Sequence, residues 1–417
     1  MINNFEELKQ KANYCLNCKA KPCSNKGCPL NNDIPTFINL AKNGEFEKAY
    51  EIITKTSVLP SICGRICPHY KQCQGSCIRG IKGNPVSIGE IEAFIGDMAI
   101  KHNYNIKKFD KQDLYQKNIA VIGGGPSGLT VSSFLARRGA NITIYEKYSN
   151  LGGILTRGIP EFRLPKNIVE KSIDKILALG INVKYNMQLG KDFNLEDIKN
   201  KYDAIILALG ANVSNKMNID GEYLNGVYGA NEFLEGLYNI DFNGKTVVVN
   251  GGGNVAIDAA RTAKSKGAKN VFVIYRRSKN EMPAEKKEVE DAINENIEFL
   301  FQNNIVKIIG NNQNQVSGVQ LIKTELVKNP NDNRLTPVNI ENSDYTINAD
   351  YVIMALGSHP ANFVKNLGLE LKSNGKILTN EFGQTSIPNV YAIGDLADNK
   401  STVAFAAKSA RIVEEYF

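Results

Sequence analysis

The stretch NIAVIGGGPSGLTVSSFLARRGANITIYE, residues 118–146, decides the fold. It opens on a short apolar run, Asn118 to Ile122, turns on glycines, continues as a helical pattern and closes on a second β-rich run ending at Glu146. That order predicts a β-α-β unit. Gly123, Gly125 and Gly128 stand in G-x-G-x-x-G spacing directly after the first strand. The first glycine permits a tight turn, the second lets the backbone approach a pyrophosphate, and the third allows helix and strand to pack closely. Pro126 and Ser127 open a helix whose unpaired N–H groups and dipole favour phosphate. Glu146 is placed to accept from ribose hydroxyls, which suits FAD. A glycine turn alone is weak evidence, but strand, helix, strand and acid in order argue for binding.

The same grammar returns as TVVVN (246–250), GGGNVA (251–256), a helical pattern and VFVIYRR (271–277). Gly251, Gly253 and Ala256 follow the G-x-G-x-x-A variant, with Asn254 and Val255 inside it. This strand reads as ending in Arg276 and Arg277 where the first ends in an acid. An acid there binds a free 2′-hydroxyl and repels a 2′-phosphate, whereas guanidinium groups bind the phosphate. NADPH is therefore expected in preference to NADH, against the alternative that both arginines are merely solvated. Further apolar runs, AIILALG (204–210), YVIMALG (351–357) and VYAIGD (390–395), read as additional strands. The expected class is α/β, with two Rossmann-like nucleotide-binding domains behind a helical front. A flavin beside a nicotinamide site points to hydride transfer, and no side-chain acid or base is obligatory for it.

With 417 residues, 42% hydrophobic and 22% charged, the chain is long enough for two or three packed domains. No segment approaches the roughly 18 uninterrupted apolar residues of a membrane helix, and the start is polar, so a soluble, cytoplasmic protein is expected. Residues 3–100 read as short helices punctuated by Cys, Pro and Gly, with Asp33 before Pro35 as one helix start, and residues 101–117 read as a linker. All eight cysteines fall between Cys15 and Cys77. They form C-x2-C-x4-C-x4-C at Cys15, Cys18, Cys23 and Cys28, then C-x3-C-x5-C-x3-C at Cys63, Cys67, Cys73 and Cys77. In a reducing compartment such clustering indicates metal or iron–sulfur ligation rather than disulfides. Structural zinc usually draws on two paired C-x2–4-C knuckles, and the second group offers only x3, x5, x3 spacing, while the proline after Cys28 fits iron–sulfur usage.

The Cys-free remainder excludes a flavin enzyme that reduces disulfides through its own cysteine pair beside the flavin. The formal charge of +7 comes from 50 basic and 43 acidic residues, and the basic ones are scattered among acids. Bound clusters and dinucleotide phosphates would offset it, so nucleic acid is not an expected partner. Three dispersed histidines and the absence of Trp argue against a histidine-rich metal site or a Trp-lined sugar groove.

Taken together, CLNCKAKPCSNKGCPLNNDIP, GRICPHYKQCQGSCIRG, PVSIGEIEAF, GGILTRGIPEFRLP, GGGNVAIDAAR, RRSKNEMPA and VYAIGDLADNKSTVAFA carry a family likeness. Over nearly its whole length the chain resembles the small (β) subunit of bacterial NADPH-dependent glutamate synthase and the matching front half of dihydropyrimidine dehydrogenase. The resemblance implies a helical N-terminal iron–sulfur domain over 1–116. It also implies an FAD-binding domain over 117–235 and 345–417, with an NADPH-binding domain inserted at 236–344. It further implies two [4Fe–4S] clusters, one on Cys15, Cys18, Cys23 and Cys77 and the other on Cys28, Cys67, Cys73 and Glu92. Cys63 would be a spare thiol near the second cluster. The alternative for Glu92 is a solvated helical carboxylate.

By the same resemblance Arg163, Asp395, Ser401, Thr402 and Val403 lie against the flavin. Lys147, Gly153, Gly357 and Gly394 are further candidate cofactor contacts. Asp395 is equally readable as a helix N-cap, His69 as a surface residue, and Asp258 as structural. Nothing in the sequence supplies a second substrate pocket or an FMN barrel, so the electron acceptor is expected on a partner subunit. The leading expectation is the electron-input chain of a glutamate synthase. The alternatives are the electron-input chain of a two-chain dihydropyrimidine dehydrogenase and a ferredoxin-linked NADP oxidoreductase subunit. A reading of another class, a metal-stabilised docking module on a vestigial flavin scaffold, predicts a colourless protein.

Overall fold

The strand Asn118–Ile122 is the middle of five parallel strands, ordered Val390–Ala392, Ala204–Leu207, Asn118–Ile122, Asn141–Tyr145 and Asn182–Lys184. Ile119 to Ile122 are buried on both faces of the sheet, which is why that run is continuously apolar rather than alternating. The helix Pro126–Arg137 returns the chain from Asn118–Ile122 to Asn141–Tyr145, and the closing helix Val403–Tyr416 packs against it. The computed structural model describes residues 1–329, 332–398 and 400–417. These divide into two units, Met1–Ala211 with Pro360–Phe417, and Asn212–His359.

Among the described residues no strand precedes Asn118, and the front is helical as expected. Asp33 precedes the helix Ile34–Lys42, but its carboxylate takes the Lys21 ammonium at 2.8 Å instead of capping the helix. This front shares one apolar core with the first sheet. Arg137, at the end of its helix, donates to the Thr54 carbonyl at 2.6 Å and the Lys107 carbonyl at 2.7 Å and stacks over Phe109 at 3.9 Å. Burial pulls its guanidinium down to about 10. The segment read as a linker is thus pinned to the sheet domain, with Ile106 and Leu114 buried.

The second unit holds its own parallel sheet, ordered Val227–Gly229, Tyr351–Met354, Thr246–Asn250, Asn270–Tyr275 and Glu298–Phe301. Beside it runs an antiparallel set, Asn303–Gly310, Val316–Asn329, Asp332–Asn339 and Tyr345–Asn348. The boundaries expected at 235 and 345 move outward to 211 and 360. The reason is hydrogen bonding: Tyr351–Met354 lies between Val227–Gly229 and Thr246–Asn250, so both outer segments are strands of this sheet. No helix among the described residues is long and apolar enough to cross a membrane.

Candidate functional site

Two cavities sort the cysteines into groups that cross the sequence order. One is lined by Cys15, Cys18, Cys23 and Cys77. The second is lined by Cys28, Cys67, Cys73 and Glu92, together with Cys63, His69 and Ala404. The interleaving comes from close backbone contact. A single π turn, Cys23–Gly27, separates Cys23 from Cys28 so that they face different cavities, and a Cβ on Gly27 would stand 2.8 Å from the Cys73 Cα. A Cβ on Gly64 would stand 2.4 Å from the Ala93 nitrogen. The helices Pro60–Ile66 and Ile88–Lys101 therefore touch backbone to backbone, which brings Cys63, Cys67 and Glu92 to one space.

The donor set fits iron–sulfur clusters. Among the described residues no three His, Cys, Asp or Glu converge as a lone metal ion requires. The thiols instead surround volumes, as a cubane requires. Burial pushes the Cys23 thiol up to about 11 and the Cys28 thiol up to about 12, and holds the Glu92 carboxyl well above its ordinary range. Thiolates there form only against a compensating metal charge, with release of protons. Glu92 is 9% exposed, so the solvated-carboxylate alternative fails. The expectation of a surface His69 is also corrected. Its Nε2 is buried without a partner beside the second cavity, and burial pulls the imidazole down to about 4. Cys63 lines the same cavity, 3.9 Å from the Ser57 hydroxyl. Spacing could not reveal His69 or Ala404 at this cavity, because neither repeats with the cysteines.

The first glycine loop wraps Glu146. The Gly124 N–H donates to Glu146 Oε2 at 2.9 Å and the Tyr148 N–H to Oε1 at 3.0 Å, so the carboxylate is oriented and 4% exposed. A Cβ on Gly125 would meet nothing within 4 Å, whereas one on Gly128 would stand 1.9 Å from the Gly123 carbonyl oxygen. The second glycine faces open space of the kind a pyrophosphate needs; the third is a packing requirement. Gly153 sits at φ +53° close to Gly125, and Gly394 packs on Ser127. Arg163 is half-buried and Lys147 exposed. Asp395 is not an N-cap. It lies inside the short turn Gly394–Leu396 with Oδ1 buried and unpartnered, and burial raises its carboxyl to about 6. Thr402 is the N-cap, accepting from the Phe405 N–H at 3.3 Å, with Ser401 exposed before it and Val403 opening the helix. An orphaned acceptor and an open glycine cradle fit a bound FAD.

In the second unit Gly251 has φ +149° and a Cβ on Gly253 would meet nothing within 4 Å, repeating the first loop. Ala256 is fully buried, and Asn254 Oδ1 accepts from the Glu285 N–H at 2.9 Å, with Val255 between them. Register corrects one step of the sequence argument. Ile122 pairs with Tyr145, and Asn250 with Ile274, so Tyr275 rather than an arginine occupies the place of Glu146. The strand Asn270–Tyr275 is one residue longer than its counterpart, and its register is one residue further along, which counting from the glycines does not show. Arg276 and Arg277 follow at once, the first exposed, the second half-buried with its Nε unpartnered. No acid repels a 2′-phosphate at the strand end. Gly357, a candidate cofactor contact, lies in this second unit, at φ +86° after Tyr351–Met354. Asp258 is buried on the helix Asn254–Ser265.

Residues 117–410 match the pyridine nucleotide-disulphide oxidoreductase family, and residues 2–104 match dihydropyrimidine dehydrogenase domain II, 4Fe-4S cluster. The chain belongs to the pyridine nucleotide-disulphide oxidoreductase family. It is 34% identical to the glutamate synthase [NADPH] small chain of Escherichia coli (strain K12), over 97% of this chain and 89% of that one. It is 32% identical to the NADP(+)-dependent formate dehydrogenase subunit beta of Moorella thermoacetica, over 92% of this chain and 58% of that one. Mycobacterium tuberculosis FprA in complex with NADPH shares the fold, with a TM-score of 0.63 and 20% identity, over 72% of this chain and 84% of that one. The chain is accordingly an oxidoreductase using FAD and a pyridine nucleotide, with an iron–sulfur front. Disulfide chemistry, despite the family's description, has no cysteine to use after Cys77.

Proposed function

We propose that this chain oxidises NADPH and delivers the electrons singly, through two [4Fe–4S] clusters, to a partner subunit, as the small chain of a glutamate synthase. The observation that carries the reading is the partition of the buried donors into two cavities. The second of these reaches Ala404, on the helix that Thr402 caps and Val403 opens, downstream of Asp395. When bound, FAD converts a two-electron input into one-electron output, and the clusters carry single electrons.

The protein's own residues hold and insulate these groups. Glu146, Gly125 and Asp395 orient the flavin's ribose, pyrophosphate and ribityl chain. Cys15, Cys18, Cys23 and Cys77 ligate one cluster, and Cys28, Cys67, Cys73 and Glu92 the other. Arg276 and Arg277 take the 2′-phosphate of NADPH. No acid or base among them moves a proton in the chemical step.

Anaerobically purified protein is expected to be brown, with a flavin band near about 450 nm on an iron–sulfur shoulder, and to bleach on NADPH titration. A colourless or zinc-only protein would support the docking-module reading instead. Added glutamate synthase large subunit is expected to give NADPH-driven glutamate formation. The match of residues 2–104 favours a second reading, the electron-input chain of a dihydropyrimidine dehydrogenase. NADPH-driven uracil reduction with that enzyme's catalytic chain, and no glutamate formation, would select it.

A further inference from the structure

The first cysteine cavity lies just under the surface. Leu16 and Ile78 line it and are 49% and 41% exposed, so a single layer of side chains separates it from solvent. The second cavity is lined in part by Ala404 and Leu30, 3% and 9% exposed, and in part by the half-buried Pro29 and His69. Around the outer cavity Tyr14 and Ile81 are also exposed, at 40% and 76%. The two cysteine loops that supply these residues are joined: Arg79 Nε donates to the Tyr14 carbonyl at 2.9 Å and its guanidinium covers the Tyr14 ring at 4.3 Å. The two joined loops thus carry four exposed apolar side chains, Tyr14, Leu16, Ile78 and Ile81.

These loops carry unpaired cations. Between Glu7 and Asp33 the chain has five lysines and no acid, and between Glu51 and Glu90 three lysines, two arginines and no acid. Of these, Lys11 pairs with Glu90, Lys21 with Asp33 and Arg65 with Asp97. Lys19 and Lys82 are exposed and without an ion pair among the described residues.

We infer that the face formed by Tyr14, Leu16, Lys19, Ile78, Ile81 and Lys82 is the docking surface for a protein whose own one-electron centre lies under an acidic, partly apolar surface. The inference rests on the proposed function and adds the exit face and the partner's chemistry. Cations around an apolar centre steer an acidic protein and set its register, while the apolar contact excludes water where the two centres approach. One NADPH becomes NADP⁺ and a proton as two acceptor molecules each gain one electron.

The test uses the holoprotein with three acceptors: an acidic plant-type [2Fe–2S] ferredoxin, basic cytochrome c, and neutral benzoquinone. With ferredoxin, kcat/KM is expected to fall at least about tenfold between about 20 and about 200 mM salt. It is expected to fall as far at low salt in the Lys19→Glu/Lys82→Glu double variant, through KM rather than kcat. Ile81→Asn is expected to lose a similar amount with little change in salt dependence. Flavin bleaching by NADPH and benzoquinone reduction should be unchanged in every variant; their loss in wild type would overturn the function itself and not the docking face. Ferredoxin reduction absent in wild type, or equal in wild type and variants at all salt concentrations, overturns the inference. So does faster reduction of cytochrome c than of ferredoxin by wild type at low salt. A change only in cluster potential would make the cations local stabilisers, and a change only in self-association would make the occupant a second copy of this chain.

Discussion

Alanine at Gly125 and alanine at Gly128 should damage different things. At Gly128 the added Cβ would stand 1.9 Å from the Gly123 carbonyl oxygen, a backbone atom that must retreat by roughly 1.5 Å to reach ordinary contact. Overpacking of this kind costs about 1–3 kcal/mol, and helix propensity returns at most about 1 kcal/mol of it. Gly128→Ala should therefore lower the stability of the flavin-free protein by about 2 kcal/mol. Gly125 has φ −79° and ψ −172°, extended backbone open to any residue, and its Cβ would meet nothing. Gly125→Ala should cost the flavin-free protein no more than about 1 kcal/mol, through a poorer helix cap. The methyl group would nevertheless occupy the space assigned to the pyrophosphate and separate it from backbone N–H donors. Hydrogen bonds to a charged group contribute about 1.5–3 kcal/mol each, so FAD affinity should fall about ten- to a hundredfold. The assay pairs thermal melts of flavin-stripped protein with FAD titration by fluorescence quenching. If Gly125→Ala bound FAD as wild type does, the open space at the first loop would not be the pyrophosphate site, and the argument from glycine geometry would fail.

Replacing Arg276 with Glu places an acid beside the expected 2′-phosphate; the NADPH:NADH ratio of kcat/KM should drop about ten- to a hundredfold, read from initial rates with benzoquinone. Cys23→Ser and Cys73→Ser should each remove a different cluster, lowering bound iron from roughly eight to roughly four per chain, while NADPH still bleaches the flavin in both. Equal loss of all iron from either variant would contradict separate cavities. Asp395 is raised by burial from 3.8 to about 6, so between those values the folded flavin-free protein holds a proton that the unfolded chain has released. Its contribution to stability is complete below about pH 4 and disappears as pH rises through about 6. Flavin-free Asp395→Asn should lack this decline and be about 3 kcal/mol more stable than wild type above pH 6 by chemical denaturation, and it should bind FAD more weakly.

Local signals in this chain are strong where one segment does one job. The run Asn118–Glu146 carries strand, turn, helix and acid within a single β-α-β unit, so period and glycine spacing sufficed to place it. The insertion boundaries were less legible because Val227–Gly229 is a short, half-buried strand whose partner, Tyr351–Met354, lies far along the chain. The off-by-one at Tyr275 arose because a strand's last residue is set by its hydrogen-bonded neighbour. Composition there, with three polar-tipped residues in a row, does not mark the end. His69 looked superficial because a residue after Cys-Pro in a loop usually is; its burial depends on the helix Ile88–Lys101 closing over it.

By itself the amino-acid order determined the chemistry available: two nucleotide loops, eight thiols confined to the front and none behind. Those are matters of residue type and short-range spacing, which survive without knowledge of long-range contacts. Tertiary structure decided which thiols share a space, because the Cys23–Gly27 turn and the contacts at Gly27 and Gly64 assign neighbours in sequence to different cavities. It also decided that the exposed Leu16 and Ile78 line the first cavity and that Ala404, from the far end of the chain, lines the second. Depth is a property of packing between segments, and no single segment encodes it.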